Sequence, residues 1–273
     1  TPTVDGVAMP VGYSTIMYDV DEADEAIRDI GACRYDGIEF SLREIREFGP
    51  EEIRARCDRH DLEPYCVMGT WLESDDQVEQ GVAGTSLVAE AGVARYGLLP
   101  PRRGLVDEAT FEGWLDDLCA ACDDAGLTPL LHHHGATMVE GPTEIREWLD
   151  AGPANLRLLF DTAHYYPYGD VEDGIERFAG DVGYVHFKDV NPSYGFEEHV
   201  EALTRADFNL DHVIDYFRSF TDLGDGEVDF ADVRDRLRTV GYDGPVTVEV
   251  ENRHRKPLVH AKENYDYYHD RVR

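Results

Sequence analysis

Three consecutive histidines follow a short apolar run in the segment LLHHHGATMVEGP, which spans residues 130–142. Imidazole is a frequent ligand of transition metals and also acts as a general acid or base, so these side chains are candidates for chemistry. Successive residues of a strand point to opposite faces, which places His132 and His134 on one side and His133 on the other. We therefore treat His132 and His134 as site candidates and His133 as a structural residue.

Charged and imidazole side chains come directly after apolar runs at several other places in the chain. They are Glu39, Asp161, His164, His186, Lys188, Glu249 and Glu251. A buried charge without a partner is costly, so side chains in such positions require ion pairs, hydrogen bonds or a metal ion. Any one of them alone is explained by an ion pair at the rim of a domain. Their recurrence at the ends of several strands favours a metal centre.

The elements that must position these residues are eight short apolar runs that alternate with amphipathic stretches. The predicted strands are 11–16, 37–41, 64–69, 95–100, 128–134, 156–162, 183–189 and 245–250. Strands that are each followed by a helix pair in parallel through right-handed crossovers, and eight of them close into a (β/α)8 TIM barrel. We predict one such domain over residues 1–273. An open doubly wound sheet is the alternative, but no GxGxxG motif follows the first strand.

One interval departs from this alternation. Residues 190–228, after the seventh strand, contain far more chain than a connection between a strand and a helix needs. The stretch LDHVIDYFRSF within them has the pattern of an additional amphipathic helix. Catalytic groups of such barrels lie at the carboxyl ends of the strands, so we expect this insertion to cover them.

Three segments carry a resemblance to a known family. FDTAHYY, YVHFKDV and GYDGPVTVEVE, in this order, resemble the xylose-isomerase-like TIM barrels, the superfamily of sugar isomerases, epimerases and AP-endonucleases. The resemblance runs from YDGIEF to the end of the chain and is strongest over its last half. Within the superfamily, LLHHHGATMVE, FKDV and GDGEVDF are most similar to the inosose dehydratases.

The resemblance implies one divalent metal ion held by residues of strands five to eight. The matching positions are Asp161, His186 and Glu249, with His132 where many members have glutamate and His134 as the next nearest residue on the same side. Two imidazoles and two carboxylates suit Mn, Co, Zn or Fe better than Ca or Mg. The resemblance also implies that His164 orients a ligand or contacts the substrate.

The chemistry implied is that of a metal-dependent lyase (dehydratase) or intramolecular isomerase acting on a keto-sugar or keto-polyol through an enolate. Glu251 and His134 are the candidates to remove a proton, and Lys188 is the candidate to stabilise an oxyanion or protonate a leaving group. Inosose dehydration is the leading case by resemblance. Because His132 replaces one of the paired glutamates of the ketose 3-epimerases, epimerisation by their scheme is disfavoured relative to dehydration or isomerisation. A sugar or sugar-phosphate isomerase or epimerase is the alternative. A non-catalytic sugar-binding barrel and an endonuclease-like DNA repair protein are remote alternatives.

Three further residues are candidates for contact with a sugar or cyclitol substrate. Glu39 either binds substrate or holds an arginine at the barrel mouth, and Trp71 either lines the pocket or packs against the next helix. Tyr165, with Tyr166 and Tyr168 after the sixth strand, either shapes the pocket or caps that strand, and we favour the pocket. The remaining histidines of helical and tail segments are expected to be solvated: His60, His212, His254, His260 and His269.

Composition limits the partners. The chain has 57 acidic and 25 basic residues and a formal net charge of −32, which predicts a solvated, halophile-like acidic surface and opposes binding to nucleic acid. No apolar run is long enough to cross a membrane, and the amino-terminal sequence lacks signal-peptide features, so a cytoplasmic protein is expected. Cys119 and Cys122 form a CxxC inside a helical pattern, which favours packed thiols. A homo-oligomer is compatible with the sequence.

Overall fold

Eight parallel strands close into a barrel in the computed structural model, which describes residues 8–273. Around the barrel the strand order is β1-β10-β7-β6-β5-β4-β3-β2. This arrangement confirms the predicted (β/α)8 TIM barrel. The segment TPTVDGV, on which the expectation about a signal peptide partly rests, lies outside the described residues.

The barrel strands follow the predicted runs closely. The eighth is labelled β10 because two short strands precede it in the insertion. The barrel strands are β1 Val11–Ser14, β2 Gly37–Ser41, β3 Glu63–Trp71, β4 Arg95–Leu99, β5 Thr128–His132, β6 Arg157–Asp161, β7 Val182–Phe187 and β10 Val246–Val248. The predicted fifth and eighth strands are longer than those observed, so His134, Glu249 and Glu251 lie just beyond the strand ends.

Helices separate the strands and cover the outside of the barrel. They are α1 Ala23–Ala32, α2 Leu42–Phe48, α3 Pro50–Arg59, α4 Asp75–Glu90, α5 Glu108–Ala125, α6 Pro142–Ala151, α7 Thr162–Tyr165, α8 Val171–Arg177, α9 Phe196–Thr204, α10 Leu210–Arg218, α11 Phe230–Thr239 and α12 Pro257–Tyr267. Two of the helices, α2 and α7, begin at the residue directly after a strand, where no polar linker marks a boundary.

The long helix α5 shows how local sequence sets an element. The Asp107 side chain accepts a hydrogen bond from the backbone N–H of Thr110 at its start, and Gly126 adopts a left-handed conformation (φ 72°) at its end. Cys119 and Cys122 are free thiols that lie buried on the inner face of this helix. The prediction that the CxxC belongs to a packed helix is confirmed.

The amino-terminal half of the barrel interior is apolar. A cluster separate from the main core contains Tyr65, Cys66, Leu130, Leu159 and Tyr184. Because side chains two residues apart share a strand face, the residues two positions after Leu130, Leu159 and Tyr184 lie on this same inner face, one layer nearer the carboxyl ends. Those residues are His132, Asp161 and His186. The apolar layer therefore lies beneath these polar side chains, and a ligand would reach them from the carboxyl end of the barrel.

The insertion after β7 is a subdomain with its own short sheet. The strands β8 Asp189–Val190 and β9 Phe220–Thr221 pair antiparallel and bracket the helices α9 and α10. The predicted helix LDHVIDYFRSF corresponds to α10 and is confirmed, and FEEHVEALT forms a second helix, α9, in the same insertion. Within the described part of the chain, no helix has the length and apolar character needed to cross a membrane.

Candidate metal centre

Four side chains, located at or directly after the ends of four barrel strands, meet at the carboxyl end of the barrel. They are His132, Asp161, His186 and Glu249, and one ligand atom from each lies within 4.8 Å of the others. His132 Nε2 is 3.9 Å from Asp161 Oδ2, and His186 Nδ1 is 3.5 Å from the same oxygen and 3.6 Å from Glu249 Oε2. Ligands about 2.1 Å from one ion lie about 3–4 Å apart, so this spacing suits a single cation.

In His132 and His186, one ring nitrogen makes a hydrogen bond outside the four-residue group and the other points towards the carboxylates of the group. His132 Nδ1 donates to the carbonyl oxygen of His133 over 2.7 Å. His186 Nε2 donates to Glu39 Oε2 over 2.8 Å. Hydrogen bonds of this kind orient a metal-binding imidazole and direct its second nitrogen at the ion.

Two buried polar atoms in the group have no hydrogen-bond partner. Asp161 Oδ2 and His186 Nδ1 lie 3.5 Å apart, and neither atom makes a hydrogen bond although both side chains are fully buried. The other oxygen of Asp161 accepts the backbone N–H of His164 over 2.9 Å. Unsatisfied buried polar atoms are rare, and a cation between these two would satisfy both. The donor set therefore fits a divalent transition metal.

The charges at this site favour ionised carboxylates and one neutral imidazole. Burial lowers the pKa of His132 to about 4, so its ring is neutral near pH 7. Burial raises the pKa of Glu249, but Lys188 and His186 outweigh it and bring the pKa to about 2. Burial likewise lowers the pKa of His186, but Glu39 and Glu249 raise it well above the usual value. The raised pKa means that His186 holds an additional proton, and a metal ion at this site would compete with it.

Lys188 lies beside the group and is 1% exposed. Its Nζ donates to Glu249 Oε2 over 2.8 Å and also to Glu251 Oε2, and it lies 4.5 Å from the centre of the Phe220 ring. Burial acts to lower the pKa of Lys188, but the two carboxylates raise it well above the usual value. Burial raises the pKa of Glu251, against the opposing charge of Lys188. Glu251 is the more open of these groups, with 20% of its side chain exposed.

His134 and His164 lie next to the four-residue group in a tilted contact, with ring centres 3.7 Å apart and planes 38° apart. His134 Nδ1 donates to the Gly135 carbonyl oxygen over 2.7 Å, which leaves its Nε2 unprotonated. Burial lowers the pKa of His134 to about 3 and that of His164 well below its usual value. Both rings are therefore neutral near pH 7. The edge of Trp71 packs against His134, with ring centres 5.0 Å apart.

Two predicted residues lie elsewhere than expected or have other partners. Glu39 is 1% exposed, and its Oε2 accepts a hydrogen bond from His186 rather than from an arginine. Tyr165 packs in the outer core against Phe160 and His133, on the opposite face of β6 from Asp161. The structure does not bring Tyr165 into the site, because the turn after β6 directs its ring towards the helices.

His133 points away from the group, in agreement with strand alternation. Its Nε2 accepts the backbone N–H of Asp161 over 3.0 Å, so it supports β6 from the outer face. The expectation that His260 is solvated was wrong. His260 is fully buried in α12, and its Nδ1 lies 2.8 Å from Asp222 Oδ1. Asp222 comes directly after β9, so this bond ties the end of the insertion to the last helix.

The insertion is also fixed by a buried carboxylate. Asp189 accepts backbone N–H groups of Val190, Gly224, Gly226 and Val228 over 2.8–3.2 Å. A Cβ on Gly226 would lie 2.3 Å from Asp189 Oδ1, which accounts for the glycine in GDGEVDF. The HFKD segment therefore places His186 and Lys188 in the site, and its Asp189 holds the loop that covers them.

Aromatic residues of the insertion complete the site, and no motif or spacing singled them out. The hydroxyl of Tyr216, in α10, lies 2.8 Å from His164 Nδ1. The Phe220 ring packs on His164 with centres 4.9 Å apart, and Phe217 packs on His134 at 5.9 Å. An amphipathic pattern predicts that α10 has an apolar face, but the residue that this face meets depends on the fold.

The architecture and the site correspond to a known class of protein. The family model described as "Xylose isomerase-like TIM barrel" matches residues 25–270. The match covers most of the chain, which therefore belongs to this family. The resemblance inferred from the sequence is confirmed.

Curated relatives share part of the chain. An inosose dehydratase of Lacticaseibacillus casei is 30% identical over 176 residues, covering 60% of this chain and 56% of the relative. An inosose dehydratase of Geobacillus kaustophilus (strain HTA426) is 34% identical over 151 residues, covering 53% and 46%. The chain thus spans about half the length of the curated relatives it matches. A solved structure described as the probable 3-DHS dehydratase AsbF of Bacillus anthracis has the same fold, with a TM-score of 0.74, 14% identity, and coverage of 96% and 100%.

Proposed function

We propose that this chain is a divalent-metal-dependent enzyme that removes water from a keto-polyol, with an inosose as the leading substrate. The observation that carries the proposal is the meeting of His132, Asp161, His186 and Glu249 with two unsatisfied atoms facing each other. The curated inosose dehydratases among its relatives support the choice of substrate. Isomerisation or epimerisation of a keto-sugar is the alternative, and both reactions begin with loss of a proton next to a carbonyl group.

A bound divalent ion would supply a Lewis acid for a substrate carbonyl oxygen. The chain's own residues would do the remaining work. Glu251, whose pKa is raised by burial, and His134, whose Nε2 is unprotonated, are the two bases beside the group. Either would remove the proton on the carbon next to the carbonyl.

Lys188 is the candidate to protonate the hydroxyl group that leaves. Its ammonium group is charged and buried, and it donates two hydrogen bonds, one to Glu249 and one to Glu251. In dehydration it would give a proton to the β-hydroxyl, the C–O bond would break, and water would leave. The proton taken by the base and the proton given by Lys188 balance, so the net change is loss of one water molecule from the substrate.

The metal requirement is tested first. We expect His132→Ala to weaken binding of Mn, Co or Zn far more than His133→Ala, because only His132 directs a nitrogen at Asp161 and Glu249. The measurement is metal content after dialysis, together with titration of the metal-free protein by calorimetry. Equal effects of the two substitutions would show that the ligand group is assigned to the wrong residues.

The reaction is tested with the metal-loaded protein and scyllo-inosose. Dehydration predicts a conjugated diketone that absorbs in the ultraviolet, formed only with the metal present. Isomerisation predicts a change of sugar without loss of water, which mass spectrometry distinguishes. Neither product from any keto-polyol, with full metal loading, would overturn the proposed function while leaving the metal centre intact.

A further inference from the structure

A further pair of histidines lies in the insertion, outside the four-residue group. His199 of α9 and His212 of α10 face each other, with their Nδ1 atoms 2.9 Å apart and their ring centres 5.2 Å apart. The two side chains are 14% and 21% exposed, respectively, so solvent and small ions can reach them. The turn between the two helices therefore brings together two imidazole nitrogens that are 13 positions apart in the chain.

A carboxylate lies beside the outer nitrogen of each ring. Asp215 Oδ2 is 3.7 Å from His199 Nε2, and Asp207 Oδ2 is 3.9 Å from His212 Nε2. Metal-binding histidines commonly have a carboxylate near the nitrogen that does not bind the ion, because the carboxylate orients the ring and makes it a stronger ligand. In both rings Nδ1 is therefore the nitrogen available to a cation.

The charges around the pair attract a cation. The two arginines of this segment, Arg205 and Arg218, form ion pairs with carboxylates on the neighbouring turn of the same helix. The excess of negative charge over residues 195–218 raises the local concentration of divalent ions. The acidic residues of the segment are Glu197, Glu198, Glu201, Asp207, Asp211 and Asp215.

The spacing of the two nitrogens suits a transition metal after a small movement. Zn–N bonds are about 2.0–2.1 Å long, so two nitrogens bound to one tetrahedral ion lie about 3.4 Å apart. The observed separation of 2.9 Å would have to increase slightly, which rotation of two partly exposed rings provides. Water would supply the remaining ligands from the open side.

We propose that His199 and His212 form a second metal site, which binds a first-row transition cation such as zinc or nickel and joins α9 to α10. Calcium and magnesium prefer oxygen ligands and do not bind there. The ring of Phe217, in α10, packs on His134 beside the barrel centre. An ion between the two helices therefore stabilises the cover of the barrel mouth. The site is separate from the ion of the proposed function and does not depend on it.

Calorimetric titration of the metal-free protein with zinc or nickel chloride tests binding. We expect His199→Gln and His212→Gln each to bind one ion fewer per chain than the native protein. The control is His269→Gln, an exposed histidine beside Asp270, which should bind as many ions as the native protein. His132→Ala, which weakens the barrel centre, should keep the ion in the insertion. The same number of ions in the native protein and both insertion variants would overturn the proposal.

Hydrogen-exchange mass spectrometry tests whether the ion joins the two helices. Zinc should slow amide exchange in α9 and α10 of the native protein several-fold, because a bound ion opposes local opening of the helix pair. An ion in the barrel centre affects the native protein and His199→Gln alike, so the difference between them reports the second site. If zinc changes exchange in these helices equally in both proteins, a shared proton alone joins the two histidines and the proposal fails. Loss of turnover with this difference retained would overturn only the proposed function.

Discussion

At the scale of single residues, the site is a balance of buried charge. Asp161, Glu249 and Glu251 bring negative charge to one end of the barrel, and Lys188 is the lysine that lies among them. Removing one member of a buried ion pair commonly costs about 3–5 kcal/mol, because the other is left without a partner. A divalent cation would complete this balance, which explains why the carboxylates are tolerated in an almost fully buried position.

Lys188 offers a direct test of function at this scale. Lys188→Met keeps a side chain of similar length and removes the charge. We expect kcat to fall by about 10²–10⁴-fold, as for loss of a general acid, while zinc or manganese affinity is kept because the methionine leaves the four ligand residues in place. The measurements are product formation and calorimetric titration of the metal. Parallel loss of metal binding would show that Lys188 acts only by supporting the ligands.

His133 gives a prediction about pH and stability. Burial lowers its pKa to about 3, whereas an unfolded histidine has a pKa near about 6.5. Between these values the unfolded chain binds more protons, so the free energy of unfolding must fall as the pH is lowered from about 6.5 towards 3.

The comparison is with His133→Gln, which keeps an acceptor for the Asp161 amide and does not titrate. In thermal melts of the metal-free proteins, Tm of the native sequence should fall more steeply below pH 6.5 than Tm of the variant. The same slope for both proteins would contradict the assignment of His133 as a buried neutral ring.

At the scale of elements, the insertion approaches the barrel most closely at two glycines. Asp189 holds the loop after β9 through four backbone amides, and α10 reaches the turn after β5 through Tyr216. Glycine occupies the two closest approaches, Gly226 and Gly135, because a Cβ at either would lie 2.3 Å from a polar atom of its partner. Packing this tight makes the position of α10 specific.

Gly135→Ala tests that fit. The added methyl group should push Tyr216 away from His164 and lower kcat by about ten-fold or more, with metal affinity changed little because His132 keeps its place. The control is Gly113→Ala in α5, where a Cβ meets nothing within 4 Å and should leave activity unchanged. If Gly135→Ala retained full activity, α10 would have to lie further from the site than described.

At the scale of the whole molecule, the net charge of −32 is the dominant electrostatic feature. Ion pairs on the surface, such as Arg54–Asp58 and Lys262–Asp266, join neighbouring turns of one helix and are each worth about 0.3–0.5 kcal/mol. They cannot offset repulsion among an excess of carboxylates. We therefore expect stability to depend on the apolar core and on screening by salt.

Salt should consequently stabilise the protein. Raising KCl from about 0.1 to 1 M shortens the screening length from about 10 to 3 Å, which weakens repulsion between surface carboxylates. We expect Tm to rise across this range and to rise less at pH 4.5, near the isoelectric point of about 4.5, where the net charge is small. A salt effect of equal size at both pH values would assign the stabilisation to ion-specific effects on apolar burial instead.

The amino-acid sequence by itself determined the barrel and the inner side of its strands. Apolar runs of strand length, each followed by an amphipathic stretch, permit few other topologies, and alternation along β5 separated His132 from His133 correctly. The four predicted ligand positions meet because residues at the carboxyl ends of neighbouring parallel strands converge in a closed barrel.

Only the tertiary structure decided which residues complete the site. Glu39 holds His186 across the barrel, 147 positions away in the chain, and Tyr216 reaches His164 from the insertion. Tyr165 turns outward and His260 is buried against Asp222, both contrary to expectation. Periodicity describes which face of an element is apolar, but partners distant in sequence are set by how elements pack. For that reason the ligand positions were predictable and the residues that orient them were not.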